Sequence, residues 1–272
     1  MSSHGPTLDA LVAFLHDLLG ADAYPADERG GVFRLPPEPR AARTHAIGRL
    51  GLALEPWPGL STWAAHEGLG ALFLHRPWRL APSALPRNVG VVFSHLPFDE
   101  HLTTGDNAPL AGALGFRTRE VLGTKHGRPI GMIGDVAPVP AAEAVAHVAR
   151  VIGGTEEIAL PDARRPVARV AVVGAMTDAL VREAARRGVG LYVTGQMRQP
   201  ARAAVSDTGM AVAAVGHARS EQWGLGALAE LLRARWPTLE LLVADSAVAG
   251  PATRLFDPGE SVGAGRGERP HR

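Results

Sequence analysis

Short apolar, β-prone runs recur along this chain, and three of them lead into a histidine. They are Ala71-Leu-Phe-Leu-His75, Val91-Val-Phe-Ser-His95 and Ala211-Val-Ala-Ala-Val-Gly-His217. Such runs between polar segments read as buried strands of an α/β sheet. That constrains the fold, because a sheet buried on both faces needs helices to cover it. In open α/β sheets, ligands bind in the crevice beyond the carboxyl ends of the strands. Three histidines at such ends therefore mark a candidate site.

The rest of the pattern alternates in the same way. Leu8, Leu11, Val12, Leu15 and Leu18 follow the helical period over Thr7 to Leu19. The Pro-, Gly-, Glu- and Arg-rich stretch 23–43 reads as an irregular loop. Strands are expected at Leu52–Leu54, up to Leu74 and up to Ser94, with a helix from an N-capping Ser61 to His66. A short helix over Asn107–Leu114 and a strand over Arg128–Val136 follow. A helix over Pro140–Val151 and a strand over Glu157–Leu160 come next. Residues 167–193 read as a βαβ unit. Beyond it come a helix over Gln199–Asp207, a strand over Ala211–Val215, the longest helix over His217–Arg235, and a last strand over Leu239–Ala244. The fold class expected is α/β: two domains with mixed sheets flanked by helices, and a metal crevice at the strand ends. Residues 1–122 would carry His75, His95 and Asp99. Residues 123–248, with the closing helix, would carry His217 and Glu221, and 249–272 would be a flexible tail.

Charge and composition narrow the function classes. With 28 basic and 27 acidic side chains the formal net charge is +1, so no whole-chain field recruits nucleic acid or membrane. There are no cysteines, so a metal would be held by His, Asp, Glu or water. The start Met1-Ser-Ser-His-Gly-Pro6 lacks a basic segment followed by an apolar one, and no run of about 18 apolar residues occurs. A cytoplasmic location is expected.

Two of the three histidines precede a carboxylate by four residues, as His95-Leu-Pro-Phe-Asp99 and His217-Ala-Arg-Ser-Glu221. On a helix that spacing puts both side chains on one face. Gly216 leaves the helix entry open to a ligand. An exposed His–Glu helix pair is the commoner meaning of one such spacing. The third strand-ending histidine brings the metal reading level with it, and both stay open on the residues alone. Imidazole nitrogens with carboxylate oxygens suit a divalent transition metal: zinc, iron, manganese or nickel. His66 and His147 fall on helix surfaces, and His4, His45, His126 and His271 need no role. His101 is expected to face solvent. The chain has no Gly-x-Ser-x-Gly elbow, Walker A loop or His-Glu-x-x-His. Gly224-Leu-Gly226 lies inside a helical pattern and is no dinucleotide loop.

Taken together, His75-Arg76-Pro77, His95 to Asp99 with Gly105-Asp106-Asn107 and Leu114-Gly115, and Gly216-His217 to Glu221 resemble the Nif-three-like family. The likeness spans about residues 60–245 and includes Ala171 to Gly174 and Tyr192 to Gly195. That group comprises dinuclear-metal, hexameric proteins described as type 2 GTP cyclohydrolase I homologues. The resemblance implies His75, His95, Asp99, His217 and Glu221 as metal ligands in a cytoplasmic, ring-shaped homo-hexamer. The chain departs from the family pattern at Arg76, where a second histidine is usual, and at Gln196, where an acid is usual. A guanidinium has no lone pair for a metal. One divalent ion balances Asp99 and Glu221, so one ion is expected firmly bound and a second is in doubt. Arg76 is alternatively an anion or substrate contact. The implied function is a metal-dependent hydrolase acting on a small or nucleotide-like substrate. The alternative is a non-catalytic metal-binding ring that interacts with nucleic acid or protein partners.

Overall fold

Thr7 opens the first helix by accepting the Ala10 N–H on its hydroxyl at 3.1 Å. Leu8–Leu18 (α1) then buries Leu8, Leu11 and Leu15 along one stripe. The computed structural model to which this helix belongs describes residues 5–36, 46–244 and 254–255. Gly31–Arg34 (β1) is a half-buried strand inside the stretch expected to be irregular. Residues 37–45 of that stretch lie outside the described residues, as do His4, His45 and His271.

Next come Arg49–Ala53 (β2), Leu60–His66 (α2), Ala71–Leu74 (β3) and Gly90–Phe93 (β4). The α2 helix is capped at Gly59, not Ser61. The helix begins early because Leu60 is drawn into the core at its first position. Leu96–Leu102 (α3) and Ala108–Ala113 (α4) follow, the latter capped by Asn107, whose side chain accepts the Leu110 N–H. Glu120–Val121 (β5), Thr124–Lys125 (β6), Arg128–Pro129 (β7) and Gly131–Pro140 (β8) replace the single strand expected over Arg128–Val136. Beyond them lie Ala141–Ile152 (α5), Glu157–Ala159 (β9), Pro166–Val173 (β10), Asp178–Arg186 (α6), Leu191–Thr194 (β11), Arg202–Thr208 (α7) and Ala211–Ala214 (β12). His217–Arg235 (α8), Glu240–Val243 (β13) and Arg254–Leu255 (β14) complete the described chain.

The strands form a five-stranded sheet in the order β1-β4-β3-β2-β13 and a seven-stranded sheet in the order β14-β9-β12-β11-β10-β8-β5. Both are mixed. In the first, β4, β3, β2 and β13 run parallel and β1 antiparallel. In the second, β10, β11 and β12 run parallel between the antiparallel neighbours β8 and β9. The period of two sorts side chains onto opposite faces. Val170, Val172, Leu191 and Val193 pack under α5, whereas Ala171, Val173 and Tyr192 pack under α6 and α7.

The chain leaves the first sheet after β4 and comes back to it. β13 pairs in parallel with β2. The α8 residues Leu225, Leu228 and Leu232 share a core with Leu11, Leu15, Phe98 and Leu102. The closing helix, grouped by sequence order with residues 123–248, is thus bound into the core of the first sheet. Apolar pattern predicts that a strand exists, not which sheet edge it joins. The stretch 249–272 expected as a flexible tail lies outside the described residues except for β14, which pairs with β9. No helix among the described residues is long and apolar enough to cross a membrane.

Candidate metal centre

Adjacent parallel strands β3 and β4 end level, with Leu74 opposite Phe93, so the residues that follow them meet. His75 is fully buried there. Its Nδ1 lies 3.0 Å from the Ser94 carbonyl oxygen. A carbonyl only accepts, so Nδ1 carries the proton and donates. That leaves Nε2 facing two carboxylate oxygens, Asp99 Oδ1 at 3.3 Å and Glu221 Oε1 at 3.4 Å. A lone pair against two anionic oxygens is repulsive, so the arrangement favours positive charge there: Arg76 Nη1 lies 3.4 Å from Nε2, and a proton or a metal between the oxygens would complete it. Burial opposes protonation of His75, but Asp99 and Glu221 outweigh it and lift its pKa to about 9.

His95 follows Ser94, and α3 starts at the next residue, so the helical turn required by the His95–Asp99 spacing is present. The Asp99 N–H donates to the His95 carbonyl at 3.0 Å, and His95 Nε2 stands 3.7 Å from Asp99 Oδ2. The His95 and His75 rings are 5.1 Å apart. Asp99 Oδ1 is buried without an aligned hydrogen-bond donor. An orphaned carboxylate oxygen beside two imidazoles fits a metal ligand.

The third histidine comes from the other sheet. β12 ends at Ala214, and His217 opens α8 one turn ahead of Glu221. His217 Nε2 lies 2.8 Å from Glu221 Oε1. That bond raises the His217 pKa, though partial burial works against it. Glu221 is 1 % exposed. Burial alone would raise its pKa, but His217, His75 and Arg76 together hold it well below the usual carboxylate range.

All five residues singled out by sequence come together. Donor atoms of His75, His95 and Asp99 form one group that could hold an ion, and those of Asp99, His217 and Glu221 form another, each within 4.8 Å. The His75 Nδ1–Ser94 bond supplies the carbonyl partner typical of a ligating imidazole. The donor set fits a divalent ion. Arg76 stands among these groups with its guanidinium on the protein's own carboxylates. Nη1 and Nη2 donate to the two Glu221 oxygens at 2.7 Å each, and Nε donates to Glu55 at 2.7 Å.

A cavity of about 560 Å³ opens beside the cluster. Asp99, Thr103 and His217 line it together with Thr177, the N-cap of α6, and Thr194 at the end of β11, and Lys125, Gln196 and Arg198 lie on its wall. The space before Gly216, read as open to a ligand, is filled by Glu156, whose Oε1 lies 2.4 Å from where a Cβ would stand. His101 packs beside Tyr24 and is half-buried rather than open to solvent, and that burial lowers its pKa.

Two features escaped sequence reasoning. Glu55 follows β2 as Arg76 follows His75, and the register of β2 on β3 brings them together. The strand-end rule that found the histidines would have found it. The second is a buried network in which Tyr24 Oη donates to Glu100 at 2.6 Å and Arg128 donates to it at 2.8 and 3.1 Å. Nothing in local spacing links those three residues.

Comparison with known proteins agrees with the motifs. A Pseudomonas aeruginosa protein named GTP cyclohydrolase 1 type 2 homolog is 29% identical over 166 residues, covering 61% of this chain and 65% of the relative. The match thus spans less than two thirds of that relative's length. A structural-genomics protein, ybgI, of unknown function, superposes with a TM-score of 0.68 at 22% identity, over 90% of this chain and 100% of its own. A Bacillus cereus protein related to NIF3 gives 0.64 at 12%, over 89% and 98%. These likenesses show the fold. The family profile itself matches residues 76–248, well over half of the chain, so this chain belongs to the Duf34/NIF3 (NGG1p interacting factor 3) family.

Proposed function

We propose that the protein is a metal-dependent hydrolase acting on a small, nucleotide-like substrate, with a divalent ion held in the cluster of His75, His95, Asp99, His217 and Glu221. The observation that carries this reading is His75 Nε2, a buried nitrogen aimed at two carboxylate oxygens with its other nitrogen already satisfied. When bound, a divalent ion supplies Lewis acidity, polarising the bond under attack and making water acidic enough to react near neutral pH.

The chain's own groups divide the remaining work. Asp99 and His217 are the cluster members that line the cavity, so they face the substrate. Glu221 is sealed behind Arg76 and acts by holding His217 at Nε2. Asp99 is therefore the cluster carboxylate placed to take a proton from the cavity. Lys125 and Arg198 suit an anionic group such as a phosphate. The name shared by the relatives, GTP cyclohydrolase 1 type 2 homolog, points to the same substrate class. A cytoplasmic ring hexamer is the assembly that accompanies this reading, and light scattering of the purified protein measures it.

The test is a screen of metal-loaded protein against nucleoside triphosphates, phosphoesters and cyclic amides, with Asp99→Ala as the control. Turnover abolished by that substitution supports the hydrolase. A fully metallated protein that turns over none of them favours the second reading, a non-catalytic metal-binding scaffold for nucleic acid or protein partners. The Arg76–Glu221 fork favours that second reading to this extent: it spends a site carboxylate on a structural tie.

A further inference from the structure

The two donor groups that could hold an ion share Asp99 but differ in what else engages them. In the group of Asp99, His217 and Glu221, the Glu221 carboxylate is already committed. Its Oε1 receives Arg76 Nη1 at 2.7 Å and faces His217 Nε2 at 2.8 Å, and its Oε2 receives Arg76 Nη2 at 2.7 Å. The guanidinium is permanently charged and has no lone pair. It is pinned from the far side by Glu55, which accepts from Nε at 2.7 Å. Nη1 also comes within 3.4 Å of His75 Nε2, so an ion held by His75 already has one cation for a neighbour.

The group of His75, His95 and Asp99 is unencumbered by comparison. Asp99 Oδ1 has no aligned donor. Among the described residues, the charged partners of His95 are two carboxylates, Asp99 and Glu28, each at 3.7 Å. His75 has Nδ1 tied to Ser94, and its Nε2 meets Arg76 only at 3.4 Å, against the two 2.7 Å bonds that Arg76 makes to Glu221.

We propose that the Arg76 guanidinium stands where a second metal ion would sit, making this a one-metal centre. The ion lies among His75, His95 and Asp99, and Glu221 anchors Arg76 and His217 instead of ligating metal. This deepens the metal reading given under Proposed function and rests on it. It also explains how Glu221 can be buried as an anion with no ion of its own: Arg76 and His217 supply the positive charge and the hydrogen bonds. Glu55 in turn accepts from Arg76 Nε and lends it a second negative neighbour.

The experiment is metal stoichiometry by plasma mass spectrometry, on full-length protein saturated with Zn²⁺ or Mn²⁺ and freed of excess. We expect one equivalent per chain in the wild type, near zero in Asp99→Asn and His95→Ala, and one retained in Glu221→Gln. Arg76→His, which exchanges the cation for a donor, should rise towards two. Two equivalents in the wild type overturn the proposal, as does Arg76→His remaining at one. Loss of the ion in Glu221→Gln overturns the placement and needs no folded Arg76 variant. A wild type that binds no ion instead overturns the metal reading itself, which separates the two failures.

Discussion

Arg76 and Glu221, 145 residues apart in the chain, meet through two parallel hydrogen bonds of 2.7 Å. One follows β3 and the other lies on α8, so the fork ties the carboxyl end of the sheet's central strand to a helix that arrives from the far end of the sequence. Removing Arg76 leaves a carboxylate of 1 % exposure without its main partner. Arg76→Met should lower stability by about 3 kcal/mol, the usual scale for breaking a buried ion pair from one side. Urea unfolding of the metal-free protein measures it. The double substitution Arg76→Met, Glu221→Leu should recover most of the loss, because no buried charge is left stranded.

Metal-free protein should be sensitive to alkali in a defined window. The folded pKa of His75, about 9, lies above its ordinary value of 6.5, so its contribution to stability is complete below 6.5 and disappears as pH rises through 9. The melting temperature in chelator should fall across that interval. Metal binding needs the same nitrogen without its proton, so the added stability on metal loading should grow over the same interval. Thermal scans at several pH values, with and without metal, check both slopes. Equal slopes in the two conditions would separate His75 from the metal.

Gly224 sits where α8 crosses α3. A Cβ there would stand 2.6 Å from the Leu102 carbonyl oxygen and 2.9 Å from the Phe98 ring. Backbone cannot yield as a flexible side chain can, so Gly224→Ala should destabilise by about 2 kcal/mol through overpacking. Since α3 also carries Asp99, metal affinity should weaken with it, although residue 224 touches no ligand. Calorimetric titration of the variant with Zn²⁺ tests this, whereas Gly226→Ala, with open space around it, serves as the silent control.

The Tyr24–Glu100–Arg128 network fastens the residue next to Asp99. Arg128 both pairs with Glu100 and lies 4.2 Å over the Tyr24 ring. Arg128→Met should cost about 3 kcal/mol by leaving Glu100 buried and poorly paired. Tyr24→Phe removes one hydrogen bond to that carboxylate and should cost about 2 kcal/mol. Denaturant midpoints for the two single variants and the double variant should show less than additive losses, since the three groups act together.

Much of the site was legible in the sequence because its logic is local. A strand end followed by a helical turn places His95 and Asp99 on one face, and the same spacing unites His217 and Glu221. Their chemistry could be read off residue types. What brings the two pairs together is not local. β12, ahead of His217, lies in the second sheet, yet α8 packs its Leu225 and Leu228 on the first. No periodicity in either segment encodes that return. The β1 strand was hidden for a different reason: glycines and prolines around it dominate the composition, whereas pairing of Val32 with Val92 in β4 decides its structure. Gly224 carried a false hint of a dinucleotide loop, and its actual role is the close crossing of two helices. Arg76 was conspicuous as a departure from the family's histidine, but its two carboxylate partners became visible only with the fold.

The return of α8 to the first sheet also sets an order of events during synthesis. His75, Arg76, His95 and Asp99 leave the ribosome first, and His217 and Glu221 follow on the order of ten seconds later at ordinary elongation rates. On the proposed placement of the ion, the nascent chain already has its three donors in that interval, with Glu55 made to pair with Arg76 and Glu221 still to come. On that placement, a chain halted before residue 217 would carry the proposed donors without the helix that supplies His217 and Glu221.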